Sequence, residues 1–258
     1  MIKKYFKLPM SSQAKRQLTL QTKVGSISKT ALSEHFHKYW LRTKYDNKGN
    51  AALGISALLL LQGAITLPAQ AANASKPGQR VLMIEMTPAL CSLQPTRARM
   101  RQCLEGYSLT VSGLDMGYGE RCGRGSEPRL TPLQLKVINR IMPDTTVRTQ
   151  AWQRYGVCSP LSASSYFRQI TNYAGDLKLP NELNTGNSYT VLKSRFVGQM
   201  IRLNNGMSAN SVDLICQVGT RRQMVLTDVH VCYEGGSFGT CSNVVDNCGS
   251  KFIISGGK

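Results

Sequence analysis

Gln150-Ala-Trp-Gln-Arg-Tyr-Gly-Val-Cys158 is the stretch on which the reading of this chain turns. It closes a helix expected over Val147 to Tyr155 and ends in a cysteine. Arg154 brings a planar, permanently charged fork that suits bidentate contact with a phosphate. Trp152 can stack on a base or pack into a core, and the sequence weighs the two evenly. Tyr155 carries a phenol whose ordinary pKa of ~10 makes it a poor base near neutrality.

Upstream, Thr131-Pro132 reads as a helix start, with a hydroxyl cap followed by proline at the first position. Leu133, Val137 and Ile141 then fall at i, i+4 and i+8, one apolar stripe expected to face the core. Val81 to Met86 and Tyr107 to Leu114 read as strands. Gly113 to Pro128 is rich in glycine and arginine and reads as a loop, with Arg121, Arg124 and Arg129 as a candidate basic rim. Downstream, a helix is expected over Ser164 to Ala174. Another is expected over Tyr189 to Ile201, with Leu192, Phe196 and Met200 at i+4 spacing. Strands are expected over Val212 to Val218, Met224 to Tyr233 and Phe252 to Ser255. Strands, then helices, then strands that close the sheet predict an α+β domain, an antiparallel sheet flanked by helices.

The domain is expected over residues 75–258. Ala51 to Leu67 is an uncharged apolar run behind a basic flank that includes Arg42, Lys44 and Lys48, and Leu67-Pro-Ala-Gln-Ala71 ends it in a small-x-small cleavage pattern. Residues 51–74 therefore read as a signal peptide. The competing reading is an uncleaved anchor, although the run falls short of the ~20 residues that span a bilayer. Residues 1–50 carry scattered Lys and Arg, are not expected to fold, and suggest either an extended leader or a misassigned start. The net charge is +18 overall; after residue 50 there are 21 Lys and Arg against 12 Asp and Glu, a net of +9. That balance favours polyanions such as RNA, or an anionic surface.

All eight cysteines follow the leader. An even number behind an export signal predicts a disulfide framework in an oxidising compartment, periplasmic or extracellular. Zinc fails on spacing, since there is no C-x-x-C pair and no histidine cluster. No metal or other cofactor is expected. Eight cysteines allow on the order of 100 pairings, so composition alone leaves the connectivity open.

In order along the chain, these features resemble the ribonuclease T2 family of secreted acid ribonucleases. The family's first active-site segment usually reads F-T-I-H-G-L-W-P; here it stands as Leu109-Thr-Val-Ser-Gly-Leu-Asp-Met116. The second usually reads H-E-W-x-K-H-G-T-C, and here it is Gln150 to Cys158. Thr87-Pro-Ala-Leu-Cys91 is similar to the family's strand-then-cysteine opening, and Leu226-Thr-Asp-Val-His-Val-Cys232 to its L-x-E-V-x-x-C strand. The resemblance implies the pairing Cys91–Cys103, Cys122–Cys158, Cys216–Cys248 and Cys232–Cys241. It also implies RNA cleavage by attack of the ribose 2′-hydroxyl on phosphorus, with one histidine as base and another as acid.

Those histidine positions are Ser112 and Tyr155, the glutamate position is Ala151, and the lysine position is Arg154. The residues that build the resemblance are kept and those that move protons are replaced. His230 is the only histidine after residue 50; its expected role is structural, on a strand. Three functions remain open on sequence. One is an inactive homologue that binds RNA, or another partner, through the former cleft with Trp152, Arg154, Arg121 and Arg124. The second is an endoribonuclease with a site rebuilt from Tyr155, Arg154 and His230. The third is an envelope interaction or inhibitor protein whose partner is a protein. Membrane contact is expected only if the leader stays uncut.

Overall fold

The structure is a computed structural model that describes residues 78–118, 125–184, 186–242 and 246–256. The leader, Cys122, Arg121 and Arg124, and the sequence readings that rest on them, lie outside the described residues. No described helix is long and apolar enough to cross a membrane.

Strand β1 (Gln79–Met86) is an eight-residue run whose even positions Leu82, Ile84 and Met86 are fully buried. Pro88 opens the short helix α1 (Thr87–Leu93), and α2 (Arg101–Leu104) follows; Cys91–Cys103 joins the two. Strand β2 (Leu109–Asp115) returns antiparallel to β1. Helix α3 (Pro132–Ile138) starts as the sequence predicts: the Thr131 hydroxyl accepts from the Gln134 backbone N–H, and the Gln134 side chain accepts from the Thr131 N–H, a complete capping box. Of its predicted stripe only Ile141 reaches the core; Leu133 is 71% exposed and Val137 40%. The helix ends at Ile138, so the i, i+4, i+8 spacing outruns it; Ile138, Ile141 and Met142 make the burial instead.

Helix α4 (Thr145–Ala151) is capped by the Asp144 carboxylate on Thr146 N–H and passes directly into one π-turn, Trp152–Gly156. Helix α5 (Ala163–Asp176) packs Tyr166, Phe167 and Ile170 inward, as its sequence pattern predicts. The helix predicted from Tyr189 is corrected at its start. Tyr189–Leu192 forms strand β3, paired antiparallel with β7 (Lys251–Ile254), and helix α6 begins only at Lys193 and runs to Leu203. Phe196 and Met200 are fully buried but Leu192 is 57% exposed. A Tyr-Thr-Val run fits a pleated surface better than a helix, and it joins the edge of β7 away from β5.

Strands β4 (Val212–Val218), β5 (Met224–Glu234) and β6 (Ser237–Phe238) complete the sheet, which runs β2-β1-β5-β7-β3 with β4 and β6 on β5. The sheet is antiparallel, as expected, with one parallel bridge, Val225 to Ile253. Cys216–Cys248 and Cys232–Cys241 are bridged as the resemblance implied, and Cys158 is also disulfide-bonded.

Register divides the sheet into two faces, because directly opposed residues share a side. Leu82 with Val231, and Ile84 with Val229, face the helices and form the core. Met83 lies between Gly113 and His230, and His230 opposes Asp213; Glu85 lies between Thr110 and Asp228. This second, polar face carries the candidate site.

Candidate active-site cleft

Ser112 occupies a β-bulge. Met83 pairs with Gly113 and Ile84 with Val111, so Ser112 is the extra residue, and its hydroxyl lies 3.5 Å from the Met83 carbonyl. Bulges re-aim a side chain beside functional sites. The second segment is brought to the same place by Tyr166. Its fully buried hydroxyl receives Leu114 N–H at 3.2 Å and lies 3.1 Å from Leu114 O and 3.2 Å from Ala151 O. That hydroxyl fixes the end of α4 to the free edge of β2.

The π-turn then aims Tyr155 inward. Tyr155 is 7% exposed, and its hydroxyl lies 3.6 Å from the Met83 sulfur. Gly113 leaves room beneath it: a Cβ there would sit tightly, 3.2 Å from Met83 Cε and 3.3 Å from the Tyr155 ring. Ser112 and Tyr155 thus each lie beside Met83, the first at its carbonyl and the second at its sulfur. Ala151 is buried. Arg154 is exposed, with its guanidinium 6.0 Å from the Tyr155 ring centroid. Trp152 packs: its ring meets Tyr166 edge-on at 5.8 Å, its Nε1–H donates to Ser126 O at 3.0 Å, and it covers Gly156 so closely that a Cβ there would come within 2.1 Å.

Beyond Met83 the polar face continues into groups that sequence reasoning did not join to the site. Glu85 is buried and accepts from Arg97 at 2.7 Å. Asp228, opposite it, is pushed up to about 6 by burial and by the Glu85 charge, against the pull of Arg97. His230 is driven down to about 4 by burial, and its Nδ1 is buried without a hydrogen-bond partner. Asp213 is raised to about 6 by burial and Asp246, with Lys193 opposing. Strand alternation in β1 and β5 was the available signal for Met83, Glu85 and Asp228; the partner register was not. Among the described residues no group of three or more His, Cys, Asp or Glu could hold a metal.

Asp228 makes a signed prediction. Its folded pKa is raised, so its contribution to stability is complete below an unfolded value of ~3.9 and is lost as pH rises through about 6. Asp228→Asn removes the charge that burial penalises at neutral pH. Denaturant unfolding of the variant is expected to show a gain over the parent that grows by about 1–2 kcal/mol from pH 4.5 to 7.5. A pH-independent difference would contradict it.

No family model and no curated protein matches the sequence. Solved structures do match. RNase NT, solved in complex with 5′-AMP, superposes with a TM-score of 0.54 at 16% identity, covering 70% of this chain and 98% of that one. The SF11-RNase of Nicotiana alata, associated with gametophytic self-incompatibility, gives 0.53 at 13%, covering 69% and 98%. An RNase-related protein from Calystegia sepium gives 0.51 at 12%, covering 70% and 99%. The chain has the ribonuclease T2 fold. At this identity the likeness establishes the fold, and function is argued from the site.

Proposed function

We propose that this protein is an exported, non-cleaving relative of the T2 ribonucleases that binds RNA at the former cleft. The carrying observation is Tyr155: the position aligned with a catalytic histidine holds a buried phenol set against the Met83 sulfur. An in-line 2′-hydroxyl attack needs a base for the 2′ proton and an acid for the leaving oxygen, and both must titrate near the working pH. Ser112 has no usable pKa. His230 is held largely neutral by burial, which makes it a weak base and leaves little imidazolium to act as acid. A site rebuilt on it would also need a second proton-transfer group, and the groups of that face that titrate near 6, Asp213 and Asp228, lie outside the two aligned segments. The eight-cysteine framework behind an apolar leader supports export.

Retained binding rests on charge and exposure. The chain is basic, and Arg154 is an exposed residue of the π-turn, beside Tyr155. The test is a titration of single-stranded RNA at several salt concentrations. Binding is expected to weaken as salt rises, and Arg154→Ala to weaken it further while lowering the slope of log K against log salt by about one. Salt-independent association would favour the protein-partner reading.

A further inference from the structure

On the face of the sheet opposite Met83 and His230, three aromatic rings line one cavity of about 400 Å³. Tyr233 of β5 forms its buried floor. Tyr173 of α5 flanks it at 4.3 Å between centroids with a 43° tilt, and Phe238 of β6 flanks it at 5.2 Å, nearly parallel at 29°. Tyr233 is buried and Tyr173 and Phe238 are half-buried, so the aromatic surface open to the cavity is that of the two flanking rings. The walls are fixed before any ligand arrives. Arg80 Nη1 donates to the Tyr173 hydroxyl at 2.7 Å, and the Asn204 amide exchanges two 2.8 Å hydrogen bonds with the Lys178 backbone. Gly235 and Gly236, both at positive φ, make the tight turn that brings Phe238 back over Tyr233.

We propose that this cavity is a second binding site, one that takes a sugar ring of a neutral glycan. Its size lies within the ~300–1,000 Å³ of small-ligand sites. Aromatic faces are negative at their centres, so they attract the weakly positive C–H face of a pyranose. The rim supplies what the hydroxyls need: Asp176 accepts, Lys178 and Asn205 donate, and Ser237 does both. Charge selects among the ligands that stack. A nucleotide's phosphates would meet the Asp176 carboxylate as well as Lys178, and an organic cation Lys178 as well as Asp176, so neither finds a rim of one complementary charge. A neutral, hydroxylated ring meets neither penalty. The site shares no residue with the former cleft, so it stands independently of the RNA-binding proposal.

The test uses saturation-transfer NMR on the oxidised protein with four neutral probes: maltotriose, cellotriose, mannotriose and N-acetylchitotriose. At least one is expected to show transfer, with calorimetry giving its affinity. Phe238→Ala removes one ring. Asp176→Asn changes an exposed rim residue, the last of α5, and keeps its size. Each is expected to weaken the glycan at least tenfold and to leave RNA affinity unchanged. Absence of transfer from all four probes, affinity unchanged in Asp176→Asn, or displacement of the sugar by adenosine would each overturn the assignment.

Discussion

RNA incubated with the oxidised protein from about pH 4 to 8 is expected to stay intact, with turnover at least about 10⁴-fold below that of an enzyme holding two positioned histidines. The magnitude follows from what each replaced group did. General acid or base catalysis contributes about 10²–10⁴-fold per group. Ser112 and Tyr155 together remove both, and Ala151 removes the carboxylate that would accompany them. Removing groups that act as a unit is not additive, so the lower end of the product is the safer expectation. The surrounding geometry does not compensate. Tyr155 is buried against Gly113 and Met83. His230 stays neutral down to about pH 4 because burial opposes its charge. Its strand neighbours on the same face are Met83 and Asp213. The assay follows release of 2′,3′-cyclic phosphate ends, with His230→Ala beside the parent. Multiple turnovers that disappear in His230→Ala would show that the site was rebuilt and that the missing histidines misled the reading.

The two segments that carry this argument were legible as residues and only partly as geometry. Ser112 and Tyr155 could be aligned because Gly113, Trp152, Gly156 and Cys158 keep the frame around them. The structure gives the first three of these a physical task. Gly113 makes room for Tyr155, and Gly156 makes room for Trp152. Trp152 was evenly balanced between stacking and packing, since one aromatic in a polar helix end has no internal cue. Its contacts with Tyr166 and Ser126 belong to elements outside its own segment. The same is true of the pairing of Glu85 with Arg97 and the proximity of Asp228. The second depends on the β1–β5 register, which a single sequence does not specify, and the first on the turn Pro95–Arg97 that follows α1. The β3 correction arose in the other direction. Leu192, Phe196 and Met200 match a helical period, but the first of them belongs to a strand whose partner, β7, lies some sixty residues downstream.

Tyr166→Ala is expected to be the most destabilising single change beside the cleft, costing about 4–6 kcal/mol. Tyr166 is fully buried in the core, between Trp152 and Phe167 in edge-on contacts at 5.8 and 5.2 Å. Truncating a buried aromatic ring to alanine costs about 3–5 kcal/mol through lost burial and the cavity left behind. The hydroxyl adds to this. Leu114 N–H donates to it at 3.2 Å, and it faces the Leu114 and Ala151 carbonyls at 3.1 and 3.2 Å. These groups lie at the free edge of β2, where no strand can replace the partner. Leaving one buried donor unsatisfied costs about 1–3 kcal/mol. Tyr166→Phe isolates that second part, because the ring stays and the hydroxyl goes; it is expected to lose about 2 kcal/mol. In a domain of this size each kcal/mol lowers the melting temperature by about 2–4 °C. The phenylalanine variant should therefore melt some 4–8 °C below the parent, and the alanine variant at least twice as far below. The pair also tests how the site is built. If Tyr166 is what holds the α4 end and the π-turn to β2, amide exchange in Trp152–Gly156 should rise in Tyr166→Phe more than in the β4–β5 hairpin, which the hydroxyl does not touch. Uniform loss of protection would mean that Tyr166 supports the core generally and that Tyr155 is positioned by something else.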